Sequence, residues 1–177
     1  MKVLLSETDL SGGVNRIAQQ VTAIYGRNPL TIVAVMTGSL VFLADLIRQL
    51  EMPIRVSLIQ ASSYRGGTSS GELAINDQVM LDIRGRDVLV IDDIFDTGKT
   101  LAEIIRHLRL QEPTSVRSVV LLRKTGCQTV TQVPDLVGFE IPNEFVVGYG
   151  LDYEDQYRNL PFVAALQPSD LQSHRAI

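Results

Sequence analysis

Residues 88–101 read VLVIDDIFDTGKTL. An apolar run ends in two adjacent carboxylates, Asp92 and Asp93, and a third, Asp96, stands directly before TGKT at 97–100. Each part of this stretch calls for a different ligand group. Backbone N–H groups of Thr97, Gly98, Lys99 and Thr100, with the two threonine hydroxyls, can hold a monophosphate at a helix N-terminus. Lys99 supports this, because a cation in a first helical turn opposes the macrodipole unless an anion is bound there. Asp92 and Asp93 repel each other and each raises the other's pKa. Sugar hydroxyls or a hydrated Mg²⁺ would give them partners. One phosphate, a diol and a metal-bound polyphosphate meet all these demands together, which describes a phosphorylated ribose activated by pyrophosphate. The GKT triplet is not a Walker A loop: that pattern needs Gly five places before the Gly of GKT, and position 93 is Asp. The plainer alternative is a strand, a turn of common DTG composition and a capped helix.

Strands alternating with helices must position these groups. Residues 9–26 carry Leu10, Val14, Ile17, Ala18, Val21 and Ile24 at helical spacing, closed by Gly26. LTIVAVM at 30–36 is a β-branched run suited to a strand covered on both faces. A helix starts at Ser39, a suitable N-cap. Strands are expected at 54–64, 87–93 and 116–124, a helix at 100–111, and short strands in LVGFEI and FVVGYGL. This order predicts an α/β fold, a single domain over 1–177 with a mostly parallel twisted sheet and helices on both faces. Ligands bind such sheets beyond the carboxyl ends of the strands, where 92–100 falls. Residues 65–78 hold three glycines and few large apolar side chains, so a long polar loop is expected, as in a functional lid. The tail, 167–177, is expected to fray.

Composition bounds the function. The chain has 177 residues, 45% hydrophobic and 20% charged, a normal globular balance. Its formal net charge is −4 and its 16 basic residues form no run, which argues against a nucleic-acid footprint. Cys127 is the only cysteine, so no internal disulfide forms and a reducing cytosol is the simplest location. MKVLLSETDLSGG lacks the apolar core of a signal peptide, and no window approaches 18 apolar residues, so neither export nor a membrane span is expected. His107 and His174 have no partner pattern.

VLVIDDIFDTGKTL resembles the signature of the type I phosphoribosyltransferases: an apolar strand, two acids, then a phosphate loop ending Thr-Gly-x-Thr. Asp96 and further motifs resemble the hypoxanthine-guanine branch. Those motifs are GSLVFLADLIR (38–48), SSYRGGTSSGE (62–72), LLRKTG (121–126), VGFEIPNEFVVGYGLDY (137–153) and YRNLPF (157–162), in order and spacing. The resemblance covers roughly residues 5–166. It implies the type I phosphoribosyltransferase fold, with a small hood over the base.

The resemblance also implies roles. Asp92 and Asp93 would hold the ribose hydroxyls and stand near the metal; Thr97, Gly98, Lys99 and Thr100 would hold the 5′-phosphate. Asp96 would act as acid/base at N7 of the purine; an N-cap is its structural alternative. Lys124 would face the exocyclic O6, where the alternative is a solvated lysine at a strand end. Phe145 would stack on the base, where the alternative is core, and Val146 and Asp152 would meet the base edge. Asp152 would also be a Mg²⁺ ligand. Arg158 would contact pyrophosphate, with an exposed ion pair as the alternative. Thr37 and Gly38 would form the pyrophosphate loop with a cis peptide at Met36–Thr37, and Thr37 stands where the family usually carries lysine. Ser63 and Tyr64 would hinge the lid. The implied partners are 5-phosphoribosyl-1-pyrophosphate, hypoxanthine and guanine, with xanthine as a further 6-oxopurine, and a second copy of the chain in a homodimer or homotetramer. A rival reading is a regulatory RNA-binding member of the same superfamily, which the low basic content disfavours.

Overall fold

The computed structural model describes residues 1–63, 73–76, 81–167 and 169–170. Strand β1 (Lys2–Leu5) precedes α1 (Glu7–Tyr25), β2 (Leu30–Met36), α2 (Leu40–Ile47), β3 (Ile54–Ser63) and β4 (Leu73–Asn76). Then come β5 (Asp87–Phe95), α3 (Lys99–Arg109), β6 (Ser115–Lys124), β7 (Leu136–Ile141), β8 (Val146–Val147) and β9 (Val163–Ala165). The main sheet has six strands in the order β4-β3-β2-β5-β6-β7. Five of them run parallel, and β4 pairs antiparallel with β3 at one edge.

The continuous apolar strands are covered on both faces, as their composition requires. Along β2, Leu30, Ile32 and Ala34 pack into one core with α1 and α2, while Val33 and Val35 pack into a second core with α3. Leu89 and Ile91 of β5 follow the first set, and Val88 and Val90 the second. This alternation is the two-residue period of a strand between two helix layers. The α1 stripe Leu10, Val14, Ile17, Ala18 and Val21 is buried. Its start is set by a reciprocal capping box: the Asp9 N–H donates to the Ser6 hydroxyl, and the Ser6 N–H donates to the Asp9 carboxylate.

A second, three-stranded antiparallel sheet, β1-β9-β8, joins the two ends of the chain, with Lys2 opposite Ala165 and Val146 opposite Ala165. It shares the α1/α2 core through Val146 and Val163. This is the hood.

Some expectations change. Ser39 occupies the N-cap of α2, but its buried hydroxyl donates to the Val35 carbonyl at 2.6 Å and makes no cap bond. Residues 73–76, expected within a loop, form β4, with Ile75 opposite Ala61; 65–72 and 77–78 of the expected lid lie outside the described residues. In the expected frayed tail, the Gln167 N–H donates to the Asp170 carboxylate at 2.7 Å, and 171–177 lie outside the described residues. Among the described residues, no helix is long and apolar enough to cross a membrane.

Candidate active site

The parallel order places the carboxyl ends of β2, β5 and β6 side by side. The first delivers Thr37 and Gly38, the second Asp92 to Asp96, the third Lys124. The Met36–Thr37 peptide is cis. From above, the hood brings Phe145, Val146, Asp152 and Arg158. These groups line two adjoining cavities, of about 230 and 260 Å³, that share Asp93 and Asp152.

The first cavity is lined by Asp96, Lys124, Phe145 and Val146 besides the shared acids. Lys124 is only 9% exposed, and its Nζ donates to Asp96 Oδ2 at 2.9 Å. It is therefore no solvated lysine. Phe145 is 54% exposed, so the core reading fails for it. Its ring meets Tyr153 edge-on, with centroids 5.5 Å apart and planes at 89°, which leaves a face free.

The second cavity is lined by Thr37, Gly38, Asp92, Thr100 and Arg158 besides the shared acids. Gly38 is required here: a Cβ on it would fall 1.8 Å from Asp93 Oδ2. Gly150 of the hood, at φ +100°, packs on the same turn, where a Cβ would fall 2.3 Å from the Gly38 carbonyl oxygen. Arg158 is held by Asp152 at 2.8 Å, and another of its N–H groups donates to the Gly150 carbonyl at 2.8 Å.

Asp93 stands at the join, with Asp92 beside it in the second cavity. Asp92 accepts from the Asp93 N–H, and Asp93 from the Ile94 N–H, both at 3.0 Å. Burial pushes the Asp92 carboxyl well above the usual carboxylate range, and the adjacent Asp93 charge adds to the effect. Burial also raises Asp93, against hydrogen bonds from Asp92 and the backbone and against the Arg158 charge. Two such carboxyls gain from a ligand that donates hydroxyls or brings a cation.

Beyond β5 the chain turns through Asp96, Thr97 and Gly98 into α3. The N-cap of α3 is Gly98, left-handed at φ 85°, with no side-chain cap bond. Asp96 is therefore not the cap. A Cβ at position 98 would fall 2.5 Å from Val130 and 2.7 Å from Phe95, so only glycine fits. Thr97 and Lys99 are exposed, and Thr100 of the same turn lines the second cavity. The first-turn N–H groups at this end need an acceptor that the cap residue does not supply. Ser63 ends β3, and Tyr64 lies outside the described residues.

No three acidic, histidine or cysteine side chains among the described residues close around one point. The donor set still fits Mg²⁺, which is usually held by one or two carboxylates plus substrate and water oxygens. Asp152, Asp92 and Asp93 are the oxygen donors in place. Sequence reasoning missed Tyr153 as the support of Phe145, although it belongs to the quoted motif. It also missed Thr129, whose N–H donates to the Thr97 carbonyl at 3.0 Å across 32 residues, a contact that no local pattern signals.

Comparison with known proteins agrees with this arrangement. Residues 4–154 match the phosphoribosyl transferase domain family. Over 169 residues the chain is 43% identical to the hypoxanthine-guanine phosphoribosyltransferase of Lactococcus lactis, covering 94% of this chain and 91% of that one. It is also 43% identical to the bifunctional protein TilS/HprT of Listeria innocua, of whose length it spans 26%. A crystal structure of a hypoxanthine-guanine phosphoribosyltransferase from Bacillus anthracis superposes with a TM-score of 0.89 at 36% identity, covering 94% of this chain and 99% of the other. The fold, the paired acids before an uncapped glycine turn and these likenesses converge: the chain belongs to the phosphoribosyltransferase family, in its hypoxanthine-guanine branch.

Proposed function

We propose that this chain transfers the 5-phosphoribosyl group from 5-phosphoribosyl-1-pyrophosphate to hypoxanthine or guanine, releasing pyrophosphate and IMP or GMP. The observation that carries the proposal is the buried Lys124 ammonium paired with Asp96 opposite the half-exposed ring of Phe145. A 6-oxopurine stacked on Phe145 presents O6 and the N7 proton along one edge. Lys124 donates to O6 while Asp96 takes the proton from N7. Adenine would turn an amino donor toward Lys124, and a buried donor left unpaired discriminates strongly. Val146 and Asp152 meet the opposite edge.

The 5′-phosphate would sit on the first turn of α3, on Thr97, Gly98, Lys99 and Thr100, of which Thr100 lines the second cavity. Asp92 and Asp93 accept hydrogen bonds from the ribose hydroxyls, which offsets the burial of the pair. The purine N9 attacks C1′ as the bond from C1′ to the pyrophosphate oxygen breaks, and the electron pair leaves with pyrophosphate. Arg158 and the backbone N–H groups around Thr37 and Gly38 hold that leaving group. Mg²⁺ bound beside Asp152, Asp92 and Asp93 would supply neutralisation of the pyrophosphate charge. The single cysteine supports a cytosolic location, and the family resemblance a homodimer or homotetramer.

The test is product formation. Purified protein with the ribose donor, hypoxanthine and Mg²⁺ should yield IMP and pyrophosphate in equal amounts, and a chelator should stop the reaction. Donor hydrolysis without nucleotide formation would overturn the proposal.

A further inference from the structure

The β5–β6 ladder ends at the pair Phe95↔Arg123, so Asp96 is the first residue past the end of β5, beside Lys124, the last residue of β6. Backbone polar groups at such a place need other partners. The segment after β6 supplies them. The side-chain amide nitrogen of Gln128 donates to the Asp96 carbonyl at 3.3 Å and also to the Lys124 carbonyl. One residue on, the Thr129 N–H and hydroxyl reach the Thr97 carbonyl at 3.0 and 3.3 Å. At its near end the Thr125 N–H is held by the Ile141 carbonyl of β7 at 3.0 Å. Because both partners of the Gln128 amide are carbonyl oxygens, only its NH₂ end can face them, and it has one hydrogen for each.

We propose that Gln128 is a positioning residue for the Asp96–Lys124 pair. It replaces the missing rung of the ladder and ties together the two backbones whose side chains form the ion pair at 2.9 Å. Its effect on the reaction runs through these residues, since its amide bonds to their carbonyls. The inference rests on the phosphoribosyl-transfer reading. The distance between an acid/base group and its proton is what such a tie controls, and small misplacements there cost rate more than affinity.

The experiment compares Gln128→Leu and Gln128→Glu, each alone and combined with Asp96→Asn, in single-turnover hypoxanthine phosphoribosylation. Glu keeps the shape but turns acceptors toward two carbonyls. Each single variant should lose about tenfold in rate, the worth of one or two neutral hydrogen bonds. The KM for the ribose donor and the melting temperature should stay near wild type. In the Asp96→Asn background the same change should cost less than about twofold, because residues acting through one another are not additive. An unchanged rate, or a loss of equal size in both backgrounds, would overturn the inference, as would a loss of melting temperature and donor affinity in parallel with rate. If Gln128→Leu fails to fold, the isosteric Gln128→Glu decides. A wild-type protein that makes no nucleotide removes the functional reading and this inference together. An active wild type matched by its Gln128 variants removes only the inference.

Discussion

Lys124 Nζ lies 2.9 Å from Asp96 Oδ2, one residue past the last rung joining their strands. Without a base the two groups satisfy each other. On the proposed reading, a 6-oxopurine would meet a donor and an acceptor side by side, the complement of its O6 and N7–H. The pair contributes little to stability, because Asp96 is 44% exposed and pairs of that kind are worth about 0–1 kcal/mol.

Asp96→Asn therefore separates chemistry from structure. Asn still offers Lys124 an acceptor, and α3 is capped by Gly98, so the melting temperature and donor affinity should stay near wild type. Single-turnover rate should fall on the order of 10²–10⁴-fold, the usual range for a general acid/base. Stopped-quench measurement avoids masking by product release. A lower melting temperature with an intact single-turnover rate would make Asp96 structural.

The Asp92–Asp93 pair gives stability a pH dependence. Both carboxyls titrate higher in the folded chain than the ordinary 3.8, so the folded state holds more protons from that value up to the raised one. Stability present below this window is lost as pH rises through the folded pKa. Asp92→Asn removes the buried charge. It should raise the neutral-pH melting temperature by about 2–4 °C, the shift that 1 kcal/mol gives at this chain length, and raise the KM for the ribose donor. The gain should shrink as pH falls to the low end of the window. A gain independent of pH, read by calorimetry across that range, would show that the charge is not its source.

Thr37 is exposed on the second cavity, where among the described residues Arg158 is the one cation in the lining and is already held by Asp152. Thr37→Lys should tighten binding of Mg-pyrophosphate several-fold, by about 0.5–1 kcal/mol for a partly exposed charge. If product release limits turnover, kcat falls as the affinity rises. Isothermal titration with unchanged affinity would show that Arg158 and the backbone donors already suffice.

What the sequence reveals follows the range of the interactions. The buried strands and α1 are legible because their apolar periods are local, and even the missed capping box of Ser6 and Asp9 has a local signature. Strands β1 and β9 are not legible: three or four residues long, they are defined by pairing Lys2 with Ala165 across the chain. Phe145 shows the limit of local pattern at the site. Beside Val146 and Val147 its neighbours alone suggest core, and only the family resemblance places it against the base; in the fold it is exposed, with its ring edge-on to Tyr153. Asp96 and Ser39 both sit where a cap belongs. The Asp96 carboxylate goes to Lys124, 28 residues away, a partner that only the tertiary fold supplies, and the Ser39 hydroxyl turns back to the Val35 carbonyl four residues earlier.

Lys124 donating to O6 predicts a preference for 6-oxopurines over 6-aminopurines, which a nucleobase panel measures. Hypoxanthine, guanine, xanthine and adenine are assayed with the ribose donor and Mg²⁺, read as kcat/KM, for the wild type and Lys124→Met. Hypoxanthine and guanine should exceed adenine by about a hundredfold or more in the wild type, since a buried donor facing a donor discriminates strongly. Lys124→Met should lose both rate and that preference. Adenine turned over as well as hypoxanthine, or a Lys124→Met variant with the wild-type rate and preference, would rule out this role for Lys124.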